Sequence, residues 1–259
     1  MSTRLERTVV VVPAFNEAET VASVVAGIIA SGLPVVVVDD GSADRTAVVA
    51  RNAGAIVLRL PFNLGVGGAL RCGFRWAVRN GYSTAIQCDA DGQHDPAELH
   101  HLLDAAQERD VHLLVGSRFG TDEGFQATRL RRIPMRLLSR ISSDAARTRL
   151  TDASSGFRVI REPLLSEFAR AYPVHYLGDT FEVLVQAGRR GYRVSEVPVV
   201  MKERTAGTPS AGPTASVRFL ARAIAALVIG SSHRYRDFNE VAHCDAEAEP
   251  DSAVTGGRP

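Results

Sequence analysis

The chain has 259 residues, 45% of them apolar, and a formal net charge of +1. That length holds one large α/β domain or two small ones, and the near-neutral charge excludes a chain built as a whole to bind nucleic acid. Cys72, Cys88 and Cys244 show no Cys-x-x-Cys spacing, which argues against a disulfide framework or a zinc site and suits a reducing cytoplasm.

Short β-branched runs alternate with helical patterns from the start. The run 9–12 reads as a buried strand, 18–31 as a helix, 35–38 as a strand and 43–53 as a helix. The series continues with a strand at 56–60, a helix at 68–80, a strand at 84–88, a helix at 96–108 and a strand at 112–115. Continuous apolar strands separated by helices predict a mostly parallel sheet covered on both faces, an α/β nucleotide-binding half over residues 8–118. The pattern then changes. Residues 129–149 carry Arg129, Arg131, Arg132, Arg136, Arg140, Arg147 and Arg149, interleaved with Ile133, Leu137, Leu138 and Ile141. This stretch reads as an amphipathic helix with a basic face, with Pro134 in its first turn. Strands follow at 157–160 and 194–201, with a helix at 180–190 between them. A Gly/Pro/Thr/Ser loop at 206–213, an amphipathic helix within 213–238 and a polar, disordered tail at 239–259 complete the reading. The expected organisation is a catalytic domain over 1–212, divided into 8–118 and 119–212.

Residues 1–8 are polar, so no secretory leader is expected. No apolar run reaches the roughly 18 residues of a membrane span. The nearest, 217–230, is broken by Arg218 and Arg222. A cytoplasmic protein, in solution or peripheral on the inner face of a membrane, is expected.

Open parallel sheets bind ligands beyond the carboxyl ends of their strands. Four motifs fall at such ends: Pro13-Ala14-Phe15-Asn16-Glu17, Asp39-Asp40-Gly41-Ser42, Asn63-Leu64-Gly65-Val66-Gly67-Gly68 and Asp89-Ala90-Asp91-Gly92-Gln93-His94. One such turn alone is usually just an N-cap; four on successive strand ends are a site. Two carboxylates one residue apart suit a hard divalent cation, Mg²⁺ or Mn²⁺, which takes oxygen ligands and neutralises a departing diphosphate. Asp95 reads more simply as the cap of the helix that starts at Pro96. The glycines of 65–68 follow the third strand and lack a Walker lysine, so neither a dehydrogenase nor an ATPase is indicated.

These motifs resemble those of the family-2 glycosyltransferases of the GT-A fold, in the branch of dolichol-phosphate mannose synthase and bacterial polyprenyl-phosphate glycosyltransferases. Gly116-Ser117-Arg118-Phe119, Ser155-Gly156-Phe157-Arg158, and Glu196-Val197-Pro198-Val199 followed by Arg204 extend the resemblance over residues 8–230. It implies that Pro13, Phe15, Glu17, Val38 and Asp40 line a nucleoside pocket, with Phe15 where tyrosine is usual. Asp89, Asp91 and Gln93 would hold the metal, with Ala90 alongside the nucleotide. Arg118 and Arg204 would contact the phosphates of donor or acceptor, and Arg132, in the basic stretch, is a further expected substrate-binding residue. One departure stands out: the family's Gly-x-Ser-Lys after this arginine is Gly207-Thr208-Pro209-Ser210 here, without the lysine.

The expected reaction is an inverting displacement from a GDP- or UDP-linked sugar, with Asp91 and Arg118 at the reacting centre. The acceptor decides whether a base is needed. A hydroxyl requires one, and Asp179 or Glu182 stands in the region to supply it. A phosphate monoester is largely a dianion at neutral pH and needs arginines instead. The basic stretch 129–149 favours a polyprenyl phosphate met at an anionic membrane surface. The helix within 213–238 suits a membrane surface or a homo-oligomer contact. A transferase acting on a polysaccharide or small-molecule hydroxyl, a sugar nucleotidyltransferase and a non-catalytic relative are the alternatives.

Overall fold

A computed structural model describes residues 7–118, 140, 143–173 and 181–202. All of them belong to the unit Met1–Ser210. The expected elements at 206–213, 213–238 and 239–259, and most of the basic stretch 129–149, lie outside the described residues.

The elements in chain order are β1 (Thr8–Ala14), α1 (Val21–Ala30), β2 (Val35–Asp39), α2 (Thr46–Asn52), β3 (Ile56–Arg59), α3 (Val66–Arg79) and β4 (Thr84–Gln87). A 3₁₀ turn (Pro96–Glu98), α4 (Leu99–Glu108), β5 (Leu113–Ser117), β6 (Arg158–Arg161), α5 (Leu164–Ala171), α6 (Phe181–Arg189) and β7 (Val194–Pro198) complete them. The strands form one sheet in the order β3-β2-β1-β4-β6-β5-β7. β6 pairs antiparallel with both of its neighbours, while every other pairing is parallel.

The burial pattern explains the uninterrupted apolar strands. Val10, Val12, Val35, Val37 and Ile86 point into one core, packed under Val21, Val24, Val25 and Ile28 of α1 and Leu99, Leu102 and Leu103 of α4. Val9, Val11, Val36, Val38 and Ala85 point into a second core, under Ala69, Leu70, Phe74 and Ala77 of α3 and Leu164, Leu165 and Phe168 of α5. A strand buried on both faces reads as a near-continuous apolar run, and the buried polar residues Thr8, Asp39, Gln87, Ser117 and Arg158 stand at strand ends. The helices keep the i, i+3, i+4, i+7 spacing that one buried stripe demands, as in Val21, Val24, Val25 and Ile28. At Gly73 a side chain would begin 2.4 Å from a Val11 methyl, so α3 lies close on the sheet.

Four expectations need correction. α1 starts at Val21, not at residue 18, because the amide groups of Thr20 and Val21 bond to the Glu17 carbonyl in a turn ahead of it. The helix at 96–108 opens as a 3₁₀ turn before α4. The helix expected through Arg149 has stopped before Arg147, whose φ is +51°, and Thr148 bonds back to the Ser143 carbonyl. α5 was not expected at all; Pro163, just ahead of it, is the start signal that the sequence offered.

Candidate functional site

Because β1, β2, β4, β5 and β7 run in the same direction, their carboxyl ends lie along one edge of the sheet. β6 runs the other way, so the turn that leads into it, residues 151–157, arrives at that same edge. The sheet thus gathers the strand-end motifs and this turn.

At the β1–β2 end the two loops are sewn together. The Asn16 amide donates to Ser42 Oγ at 2.9 Å, the Glu17 amide to Thr46 Oγ1 at 2.9 Å and the Ala43 amide to Asn16 Oδ1 at 2.9 Å. Asp39 is buried and its Oδ1 accepts the Ser42 amide. Asp40 is buried too, and its Oδ1 accepts the Leu64 amide at 2.7 Å, tying the β3–α3 loop to β2. Burial pushes the Asp40 carboxyl above its ordinary range, against the lowering effect of the Leu64 and Gly65 amides. Pro13 and Glu17 are half-buried, and Phe15 is 46% exposed beside them. Val38 departs from expectation: its side chain is fully buried in the core under α3, so only its main chain can face a nucleoside. Ala90 likewise turns its methyl into the core under α4.

At the β4 end the chain turns through Gly92, whose φ is +79°. The Asp91 carboxylate accepts the Gln93 amide at 3.0 Å, and the Asp89 side chain is 39% exposed. His94 folds back beneath. Its Nδ1 accepts the Asp89 amide at 2.9 Å, so its proton sits on Nε2, which lies 3.7 Å from Asp89 Oδ2. The ring stacks on Phe157 with centroids 4.6 Å apart. Burial holds this imidazole down at about 4, so it is neutral at physiological pH. His94 therefore supports the loop from below. Asp95 caps the 3₁₀ turn through the Ala97 amide at 3.1 Å, as expected. The chain leaving β7 closes over the loop: the Lys202 amide donates to the Gln93 carbonyl, and Lys202 Nζ lies 3.1 Å from Asp95 Oδ1.

Arg118 follows β5. Its Nε donates to Asp152 Oδ2 at 2.7 Å and its Nη2 to Asp152 Oδ1 at 2.9 Å and to Ser154 Oγ at 2.6 Å. A two-pronged arginine–carboxylate pair fixes the guanidinium plane. Burial alone would raise the Asp152 carboxyl, but the guanidinium outweighs it and holds the group below its usual range. Burial works against the charged Arg118 as well; Asp152 and then Asp89 overcome it and raise its pKa. The side chain stays 26% exposed. Gly156 abuts the loop after β4: a β-carbon there would sit 2.8 Å from Asp89 Oδ2. The turn 151–157 thus touches both Asp89 and Arg118. Neither Asp152 nor the contact of Gly156 was foreseen; the signal was an acid four residues ahead of a glycine, Asp152-Ala153-Ser154-Ser155-Gly156.

Among the described residues no group of three His, Cys, Asp or Glu side chains gathers. Asp89 and Asp91 are two carboxylates on one partly exposed loop, and Mg²⁺ is commonly held by one or two carboxylates with waters and substrate phosphates filling the rest. The donor set fits a hard cation that arrives with a diphosphate. Glu182, in the first turn of α6, accepts from Gln186 Nε2 at 3.1 Å, a contact within its own helix. Arg132, Asp179 and Arg204 lie outside the described residues. Among the described residues no helix is long and apolar enough to cross a membrane.

Comparison with known proteins agrees with this geometry. The model of a family described as glycosyl transferase family 2 matches residues 9–168. The chain is 32% identical over 220 residues to a polyprenol monophosphomannose synthase of Mycolicibacterium smegmatis, covering 78% of this chain and 80% of that one. It is 30% identical over 217 residues to an undecaprenyl-phosphate mannosyltransferase of Micrococcus luteus, covering 78% and 86%. Its fold is similar to that of glucosyl-3-phosphoglycerate synthase from Mycobacterium tuberculosis, crystallised with Mn²⁺, uridine diphosphate and phosphoglyceric acid. That likeness has a TM-score of 0.61 at 22% identity and covers 86% of this chain and 77% of that one.

Proposed function

Because the chain belongs to glycosyl transferase family 2, we propose that this glycosyltransferase moves a sugar from a nucleotide-diphosphate sugar to a polyprenyl phosphate. The observation that carries the reading is the meeting of two unlike halves at one sheet edge. Asp89 and Asp91 form a carboxylate pair suited to a cation and a diphosphate, and the turn that abuts Asp89 also grips Arg118, a cation suited to a phosphate. The names of the two relatives, both acting on polyprenyl carriers of mannose, support a lipid phosphate acceptor and a mannosyl donor.

In this reading Pro13, Phe15, Glu17, Asp40 and the main chain of Val38 hold the nucleoside. Asp89, Asp91 and Gln93 hold Mg²⁺ or Mn²⁺, with Ala90 beside the nucleotide. The metal, when bound, neutralises the charge that grows on the departing diphosphate. Arg118, with Arg132 and Arg204, orients the acceptor phosphate. A phosphate oxygen attacks the anomeric carbon from the face opposite the leaving group, and the bond to the nucleoside diphosphate breaks with inversion. The attacking dianion needs no proton removed, so Asp179 has no base to be. The basic stretch 129–149 suits an enzyme peripheral on the inner face of the cell membrane, where its lipid substrate lies.

The test is a melting panel of GDP- and UDP-sugars with and without Mn²⁺, followed by transfer to a short-chain polyprenyl phosphate. One nucleotide sugar should raise the melting temperature far more with Mn²⁺ than without, as linkage requires when both bind the native state. Asp91→Ala should lose that metal dependence and the transfer activity. A metal-dependent shift that survives in Asp91→Ala, or transfer to a hydroxyl acceptor with polyprenyl phosphate inert, overturns the reading.

A further inference from the structure

The turn that touches both Asp89 and Arg118 is itself held from two sides, by side chains with no part in the roles above. Ahead of it, Glu196 of β7 accepts the main-chain amide groups of Thr151 at 2.7 Å and of Asp152 at 2.9 Å on Oε2. Its Oε1 accepts the Thr151 hydroxyl. Behind it, Arg158 at the start of β6 turns inward. Its Nε donates to the Ser155 carbonyl at 2.8 Å and its Nη2 to the Ala153 carbonyl at 3.4 Å.

The chemistry of the two ends is complementary. A carboxylate has only acceptors, and it takes the amide groups at the head of the turn. A guanidinium has only donors, and it takes the carbonyls at the tail. Arg158 is 1% exposed, the bulkiest of the fully buried side chains. Burying a guanidinium is costly, and an apolar residue would fill the space without that cost. Here its donors reach main-chain oxygens of the turn that carries Asp152 and Gly156.

We propose that Glu196 and Arg158 are positioning residues. Glu196 holds the head of the turn, where Asp152 aims Arg118, and Arg158 holds its tail, where Gly156 seats the Asp89 carboxylate. The proposal rests on the reading above, in which Arg118 engages the acceptor phosphate. Its consequence is a selective one: loosening the head of the turn, where Glu196 grips Asp152, misplaces Arg118 and leaves the nucleoside end alone.

Glu196→Gln is the sharpest probe. It keeps size and, with its carbonyl on the two amide groups and its NH₂ group turned to the Thr151 hydroxyl, keeps the partners, but it removes the charge that strengthens these hydrogen bonds. The full chain is assayed for transfer to a short-chain polyprenyl phosphate, and affinity for the nucleoside diphosphate with Mn²⁺ is measured by calorimetry. The Km for the acceptor should rise by about tenfold, the scale seen when an outer supporting partner is removed, with kcat within about threefold and nucleotide affinity unchanged. Arg118→Lys should raise the same Km, and the double variant should add less than the product of the two. If Glu196→Gln fails to fold, Thr151→Val, which removes the hydroxyl contacts to Glu196 Oε1 and Ser117 Oγ and leaves the main-chain amide contacts in place, should shift the acceptor Km in the same direction. An acceptor Km raised by Arg118→Lys but untouched by both Glu196→Gln and Thr151→Val overturns the positioning role and leaves the phosphate role of Arg118 standing. An acceptor Km untouched by Arg118→Lys overturns both. An equal loss of nucleotide affinity in Glu196→Gln reduces Glu196 to a fold contact and overturns the proposal.

Discussion

Asp89 is held through both its main chain and its carboxylate. Its amide bonds to His94 Nδ1, its carboxylate lies near His94 Nε2, and Gly156 packs against its oxygens. The last contact is the easiest to disturb without unfolding the chain. A methyl at Gly156 would meet the far end of a side chain 2.8 Å away, and that end can rotate. The strain falls on the position of the carboxylate and spares the fold. Gly156→Ala is therefore expected to weaken Mn²⁺ binding by about tenfold or more, the range for disturbed ligand support, with a melting temperature close to that of the parent. Titration of Mn²⁺ in the presence of nucleoside diphosphate reads the first quantity and a thermal melt the second; a large fall in melting temperature with unchanged metal affinity would contradict the assignment.

The loops do more positioning than the helices they precede. The stretch after β2 reaches the stretch after β3 at Gly41, where φ is +73° and a β-carbon would stand 2.8 Å from the Phe62 carbonyl carbon and 2.9 Å from the Asn63 nitrogen. Here the obstacle is main chain and cannot rotate away. Gly41→Ala should cost about 1–3 kcal/mol for the left-handed backbone alone. It should also move the loop whose Leu64 amide satisfies Asp40. The expected result is a lower urea midpoint together with loss of nucleotide binding, the reverse of the Gly156→Ala pattern. The same scale explains why α5 escaped notice. Its eight residues show a two-turn pattern, Leu164, Leu165, Phe168 and Ala169, too short to stand out from the strands on either side.

At the scale of the whole molecule, one sheet separates two apolar cores, and the site sits on the rim that both support. Phe74 of α3 is fully buried and meets Phe168 and Tyr172 at ring-centroid distances of 6.5 Å and 5.4 Å. It joins the nucleotide half to the segment that follows β6. Phe74→Ala should cost about 3–5 kcal/mol, the usual range for emptying an aromatic site in a core. Equilibrium denaturation measures it, and a loss under about 1 kcal/mol would mean that the two segments are not packed as described.

How much of this was legible follows from what is local. The strands β1, β2, β4 and β5 and the helices α1 to α4 were readable because periodicity is written in neighbouring residues, and the glycosyltransferase family through the resemblance that the strand-end motifs carry. Asp89, Asp91 and Arg118 were singled out as candidates for the same reason. The reversed direction of β6 was not readable, since a strand pattern carries no sign of its partner's direction. Nor was the pairing of Arg118 with Asp152, which are 34 residues apart and meet only because β6 brings the turn 151–157 to the rim. Glu196 was legible as part of a motif, but its hold on Thr151 and Asp152 depends on β7 lying beside β5. Which residues carry charge, and where the strands lie to within a few residues, is written in the residues themselves. Only the tertiary structure decided which charges face each other, because hydrogen bonds and ion pairs act over a few ångströms and only the sheet order brings distant segments that close.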